Sequence, residues 1–241
     1  MSVHFSAAPA GGHMTAGRLA WGTLAAILLC APGPASAQSA GDGVLPTEIP
    51  LFPLQDIVLF PGVSRPLHIF EPRYREMVTE AVQGDGVIGM VLLQPGHEAD
   101  YEGNPPIFPV GCAGEITEAE ELDDGRWIIV LRGSVKFRVV SEDHSRSYRV
   151  AGVEAIDDPL DADDRAELGL RRPQLAELYA SIAPGSEPPP DDISDEVLVN
   201  GLAQLLSMDP LERQELLEAP GPLARADALL ELLEGQGGGQ P

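Results

Sequence analysis

Residues 49–75 read IPLFPLQDIVLFPGVSRPLHIFEPRYR, a series of short apolar runs cut by proline. Pro50, Pro53, Pro61 and Pro66 each remove a backbone donor, so a long central strand is excluded. The pattern predicts short, bent, edge-like strands that wrap a small barrel. Residues 49–54 and 57–59 read as the first two strands, Pro61-Gly62 as a turn, and 65–70 as an alternating strand with Leu67 and Ile69 on one side. Glu71-Pro72 opens a helix of about a dozen residues, because proline is preorganised for the first helical position. Tyr74, Met77, Val78 and Ala81 fall on its core face, and Gly84-Asp85-Gly86 ends it.

The next segment, VIGMVLL at 87–93, is a nearly continuous apolar run and reads as a buried strand. A polar loop over 94–106 leads to a strand at 107–117, where Gly111 and Gly114 suggest bulges or close approach. Asp123-Asp124-Gly125 is a hairpin-turn signal. Strands at 127–131 and 135–140, broken at Gly133, and at 148–155 complete the β-rich half. Composition then changes. The acidic run 157–164 reads as a linker or helix start, and 165–182 has helical spacing through Leu168, Leu175, Leu178 and Tyr179, with Pro173 as a kink or break. After a loop over 183–192, Ser194 caps a helix whose apolar face is Val197, Leu198, Leu202, Leu205 and Leu206. Asp209-Pro210-Leu211-Glu212 combines a cap, a first-position proline and a third-position acid. A last helix carries Leu223, Ala226, Leu229, Leu230 and Leu233, and 235–241 reads as a flexible tail. The fold class is therefore α+β. A barrel subdomain with one inserted helix spans 46–157, and a helical subdomain spans 161–234.

The beginning of the chain reads differently. Met14 to Arg18 is short and basic, residues 19–29 are mostly apolar, and Ala35-Ser36-Ala37 precedes Gln38. These are the three regions of a secretory signal peptide over 1–37, with Met14 as a plausible start. Eleven apolar residues cover about half a bilayer core, so no membrane span is expected. Leu29 before Cys30 is large where lipid attachment wants a small residue, which ranks lipidation below cleavage after Ala37. The expected location is periplasmic or secreted; a true start near Val44 would make the protein cytoplasmic. Cleavage leaves Cys112 as the one cysteine, which excludes an intramolecular disulfide and suits a buried thiol. The formal net charge of −23 repels phosphate backbones and argues against nucleic acid as a partner.

In order along the chain, IPLFPL, VLFPG and PLHIFEPRYREM closely resemble the N-terminal substrate-recognition domain of Lon protease. VGCAGEITE around Gly111, RGSVKFRVV over 132–140 and the helical stretch LAQLLSMDPLERQELLEAPG match in the expected order. The likeness covers about residues 46–233 and is closest to short, stand-alone bacterial proteins built around that domain. It implies a PUA-like pseudo-barrel followed by a helical bundle, and a role in gripping unfolded or extended polypeptide. It also implies a motor and a Ser-Lys peptidase elsewhere in the full protease. The present sequence holds no GxxxxGK[ST] phosphate loop, and Lys136 is its single lysine.

Candidate chemistry is sparse. Lys136 lies in the alternating run VKFRV, where a solvated edge charge is expected rather than a catalytic base. Glu71, Arg73 and Arg75 beside Tyr74 suggest a peptide clamp, but helix-start electrostatics and local ion pairs explain them more simply. His68, His97 and His144 are scattered, and His97-Glu98 with Asp100 lacks a recognised metal-ligand spacing. The 157–164 acids lack the spaced ligands and central glycine of a calcium loop. Pro188-Pro189-Pro190 reads as a stiff linker. No catalytic, cofactor or metal residue is assigned, and no binding surface is located. The expectation is a non-enzymatic polypeptide-binding module outside the cytoplasm. An ATP-independent hydrolase with an unrecognised site, or a scaffold of an envelope complex, stands as the alternative.

Overall fold

The computed structural model describes residues 45–97 and 103–237, the last five of these by backbone alone. The signal-peptide reading with Met14, Cys30 and Ala37 lies outside the described residues, as do Glu98 and Asp100. Six strands and five helices follow in chain order. They are β1 (Glu48–Leu54), β2 (Ser64–Ile69), α1 (Pro72–Gln83), β3 (Val87–Leu92), β4 (Val110–Glu121), β5 (Trp127–Asp143), β6 (Arg149–Ile156), α2 (Ala162–Ile182), α3 (Asp195–Leu205), α4 (Pro210–Glu218) and α5 (Pro222–Gly237).

The strand order is β2-β5-β4-β3-β1-β6, and β5 also pairs with β6. Five strands therefore close into a barrel, and β2 lies outside the ring against β5. The 17-residue β5 makes this possible by changing neighbours: residues 127–132 pair with β2, and 136–143 with β6. Gly133 sits at the change, where the Phe60 carbonyl occupies the place of a Cβ. The two strands expected at 127–131 and 135–140 are thus one continuous strand.

The edge-like character expected for the proline-cut strands holds for β2, which pairs only with β5. It fails for β1, which lies between β3 and β6. The offset of its neighbours explains how proline is tolerated there. β6 runs beside residues 48–51 and β3 beside 51–54. Pro50 and Pro53 each have one neighbour only, which leaves the missing donor an uncovered side to face. Residues 57–59 form no strand. Val58, Leu59 and Phe60 are buried instead as an unpaired segment of the core.

Strand alternation sorts the apolar residues into two clusters. Ile49, Leu51, Val91, Ala113, Phe137 and Val153 belong to the smaller, which contains no helical residue and is the barrel interior. The larger cluster joins the outer barrel face to α1 and to the four C-terminal helices. The interior is narrow. Added Cβ atoms at Gly89 and Gly111 would lie 2.8 Å from the Phe137 ring, so these glycines clear the space that the ring fills.

Helix α1 buries Tyr74, Met77, Val78 and Ala81, the four residues its spacing predicts. Helix α2 runs unbroken across Pro173, held on both sides by buried Leu168, Leu175 and Leu178. Ser194 accepts from the Val197 amide, and Asp209 with Glu212 forms a complete capping box. The buried face of α3 is Leu198, Val199, Asn200, Leu202 and Ala203; Leu205, expected inside, is exposed. The face is turned because Asn200 is drawn inward to the Pro61 carbonyl at 2.9 Å and to Arg225 at 2.5 Å.

Candidate functional site

Two groups of cations stand out in this acidic protein, one sealed and one open. The sealed group lies between the barrel and the helices. Lys136 is 2% exposed and pairs with Asp158 at 2.7 Å. It also donates to the Ala219 carbonyl at 2.9 Å. Arg225, fully buried, donates to Asp158 at 3.1 Å, to the Leu216 carbonyl at 2.8 Å and to Asn200. Burial pulls the Arg225 guanidinium below its usual range, and Asp158 opposes that shift. The solvated edge charge expected at Lys136 is therefore wrong. Alternation does send Lys136 away from the barrel interior, but that outer face is covered by the helical half. Every cation here is matched to a carboxylate or carbonyl, so the group works as a clasp between the halves. Cys112 pairs across the strands with Lys136 and is fully buried. Desolvation pushes its thiol far above the usual range, which keeps it protonated and unreactive.

The open group lines two adjoining clefts beside α1. The first, about 210 Å³, is walled by Arg73, His144, Arg146 and Arg149, with Pro53 and Leu93 among its apolar residues. Among the described residues no acid lines it. The second, about 260 Å³, is lined by apolar Ile49, Met77 and Val150 and by the acids Glu48, Glu80 and Asp85. Arg146 and Tyr148 line both clefts and form their shared wall.

That wall is built by the β5–β6 connection folding against α1. Tyr148 donates to Glu80 at 2.7 Å, Arg146 donates to both Glu80 and the Tyr148 hydroxyl, and Ser147 donates to Glu76 at 2.8 Å. The bond from Tyr148 and then the charge of Arg146 hold the Glu80 carboxyl below its ordinary value, against a desolvation cost. Burial first, and then the bond to Glu80, raise the Tyr148 hydroxyl. Arg149 is anchored differently: its side chain is 7% exposed, pairs with Glu142 at 3.0 Å, and donates to the Pro105 carbonyl.

Of the residues singled out in the sequence, Arg73 reaches the first cleft. Its guanidinium pairs with Glu71 at 3.0 Å and lies 4.6 Å over the Tyr74 ring, which packs edge-on against Phe52. Glu71 occupies the N-cap of α1 but makes no side-chain cap bond. Arg75 lies apart, its guanidinium against Gly125 in the β4–β5 turn. His144 lines the first cleft, 3.6 Å from Glu142. His68 instead faces Arg126 at 3.3 Å beside exposed Phe70, and His97 is exposed. Among the described residues no group of three or more His, Cys, Asp or Glu could hold a metal ion. Arg146, Tyr148 and Arg149 were not singled out by sequence reasoning. The signal was present in HSRSYR at 144–149, which places two arginines and a histidine within six residues of an acidic chain.

The pattern of the ATP-dependent protease La (LON) substrate-binding domain matches residues 48–235, the whole of the barrel and nearly all of the helical half. The chain belongs to the Lon substrate-binding domain family. It is 30% identical over 198 residues to Lon protease 2 of Syntrophobacter fumaroxidans and 27% identical over 196 residues to Lon protease 2 of Myxococcus xanthus. These matches cover 76% and 78% of this chain but 24% of each relative, so the chain spans about a quarter of their length. The relatives are named proteases, whereas the matched region is the substrate-binding domain. The fold is shared with solved structures. A Lon N-terminal domain protein from Xanthomonas campestris aligns at TM-score 0.50 with 23% identity, covering 81% of this chain and 99% of that one. The N-terminal domain of Mycobacterium avium complex Lon protease aligns at TM-score 0.54 with 17% identity, covering 76% and 96%. No helix among the described residues is long and apolar enough to cross a membrane.

Proposed function

We propose that this protein is a polypeptide-binding module that acts outside the cytoplasm, and that the paired clefts beside α1 are its grip. The supporting observation is the family match over 48–235 together with an open, two-part cleft on the barrel half. A surface that takes many extended chains needs general chemistry, namely apolar floor, backbone-compatible donors and charge at the rim. The clefts supply all three. The export reading rests on the leader-like sequence of residues 1–37. The sealed position of Lys136 weighs against a Ser-Lys hydrolase, because a base must meet its substrate and this amine is spent on Asp158 and Ala219.

Two measurements test the proposal. The first is suppression of aggregation of a chemically denatured client by the purified protein, for which slowed aggregation at near-stoichiometric ratio is expected. Absence of any effect, with no client captured on the tagged protein, sinks the binding reading. The second is fractionation of expressing cells with N-terminal sequencing. A mature start at Gln38 in the extracytoplasmic fraction is expected, and a cytoplasmic protein beginning near Val44 refutes the export reading.

A further inference from the structure

We infer that the second cleft takes a basic side chain, lysine or arginine, of a bound polypeptide, with Glu48 and Asp85 as the carboxylates that meet its cation. The inference deepens the polypeptide-binding proposal, rests on it, and names the class of segment that the grip prefers. Three parts of the chain bring acid to this cleft: Glu48 opens β1, Glu80 lies on α1, and Asp85 sits in the turn from α1 to β3. One guanidinium, that of Arg146, lines the cleft with them, and it is paired with Glu80. Glu48 and Asp85 are left over. Both are exposed, and their side chains have no hydrogen bond or ion pair among the described residues. The sequence that leads into the cleft at Pro46 adds no cation, because no lysine, arginine or histidine occurs between Arg18 and Arg65.

The apolar lining decides what kind of cation fits. Ile49, Met77, Val87 and Val150 line the same cleft. A metal ion would leave this surface unused, and among the described residues no group of three or more His, Cys, Asp or Glu could hold one. A long basic side chain uses both parts of the cleft: its methylene stem lies along apolar surface while its charged head stays in water beside the carboxylates. A neutral apolar side chain covers the lining but gains nothing from Glu48 and Asp85, and an acidic one is repelled. Because the two carboxylates are exposed, their pairing with the guest selects among segments rather than supplying most of the affinity.

Fluorescence anisotropy with the full chain tests this. Three labelled peptides share one extended, otherwise uncharged sequence and carry lysine, norleucine or glutamate at a central position. The lysine peptide is expected to bind about fivefold more tightly than the norleucine peptide, and the glutamate peptide more weakly than both. Glu48→Gln and, independently, Asp85→Asn are expected to shrink the lysine preference, and the double substitution to erase it. The net charge of −23 by itself favours a cation, so a control removes two other exposed acids, Glu118→Gln with Glu120→Gln on β4, which line neither cleft. The control is expected to keep the preference. Equal binding of the lysine and norleucine peptides overturns the inference, and so does a preference that the β4 control loses as fully as the Glu48 and Asp85 pair. A permanently unfolded, alkylated client is measured alongside. If it binds while the lysine and norleucine peptides are equal, the inference falls alone; if neither it nor any peptide binds, the polypeptide-binding proposal falls with it.

Discussion

The clasp between the halves and the wall of the clefts use the same materials to opposite ends. In the clasp, Lys136 and Arg225 are buried, and Asp158, Asn200 and two carbonyls absorb their donors. In the wall, Arg146 is half-exposed and lies against Glu80 and Tyr148 at the surface. Water decides the difference. A desolvated charge must be matched by the protein itself, so the clasp is fixed and has nothing to offer a ligand. A charge at the rim of a cleft is already solvated, costs little to hold there, and can trade water for a ligand. Similar guanidinium–carboxylate geometry therefore means joinery in one place and a charge still open to solvent in the other.

The comparison breaks most visibly at Asp158. Asp158→Ala leaves Lys136 and Arg225 buried without their shared carboxylate, and should cost about 3–5 kcal/mol in urea unfolding. A loss under 1 kcal/mol would show that the clasp is not sealed. Lys136→Met should cost less, since the aliphatic stem is kept and Asp158 retains Arg225. If Lys136→Met proves the costlier of the two, Asp158 is not the hub. The same variant should leave client capture intact, which separates the clasp from the grip.

On the cleft side the order of effects reverses. Arg146→Gln should leave the unfolding midpoint close to the parent's, because its ion pair is exposed, yet weaken client capture. An unfolding midpoint that falls as far as that of Asp158→Ala would erase the distinction between the two regions. The smallest effect is electrostatic. Glu80 is held below its ordinary value of 4.5, and Asp124 and Asp143 below 3.8. A depressed carboxyl stabilises the fold above its unfolded value, and that contribution is lost as pH falls through the folded value. Stability should therefore decline from about pH 4.5 downward. Tyr148→Phe removes the leading cause at Glu80, so urea unfolding across pH 5 to pH 3 should show a shallower decline for the variant. An unchanged slope would discount the Tyr148–Glu80 bond.

Much of the architecture was legible because it depends on short-range chemistry. The four core residues of α1, the Ser194 and Asp209 caps and the hairpin turn at Asp123-Asp124-Gly125 follow from spacing and local hydrogen bonding. Less legible was whatever depends on a partner from far along the chain. Residues 57–59 look like a strand and have no strand to pair with. Pro50 and Pro53 look like edge markers, and sit in an inner strand only because β3 and β6 are offset along it. The site was less readable still. Arg73 belongs to α1, but it meets Arg146 and Arg149 only because the β5–β6 connection folds back onto that helix.

The sequence by itself determined the α+β order, the family likeness, the helix ends and the acidic balance, because proline, glycine, caps and periodicity act within a few residues. Tertiary structure alone decided the roles of the charges. Lys136 passed from edge charge to sealed clasp, and Arg146 and Arg149 from unremarked residues around the start of β6 to the lining of a cleft. Alternation can say which face of a strand a side chain takes. What covers that face, and hence whether a charge keeps its water, is settled only when distant segments pack.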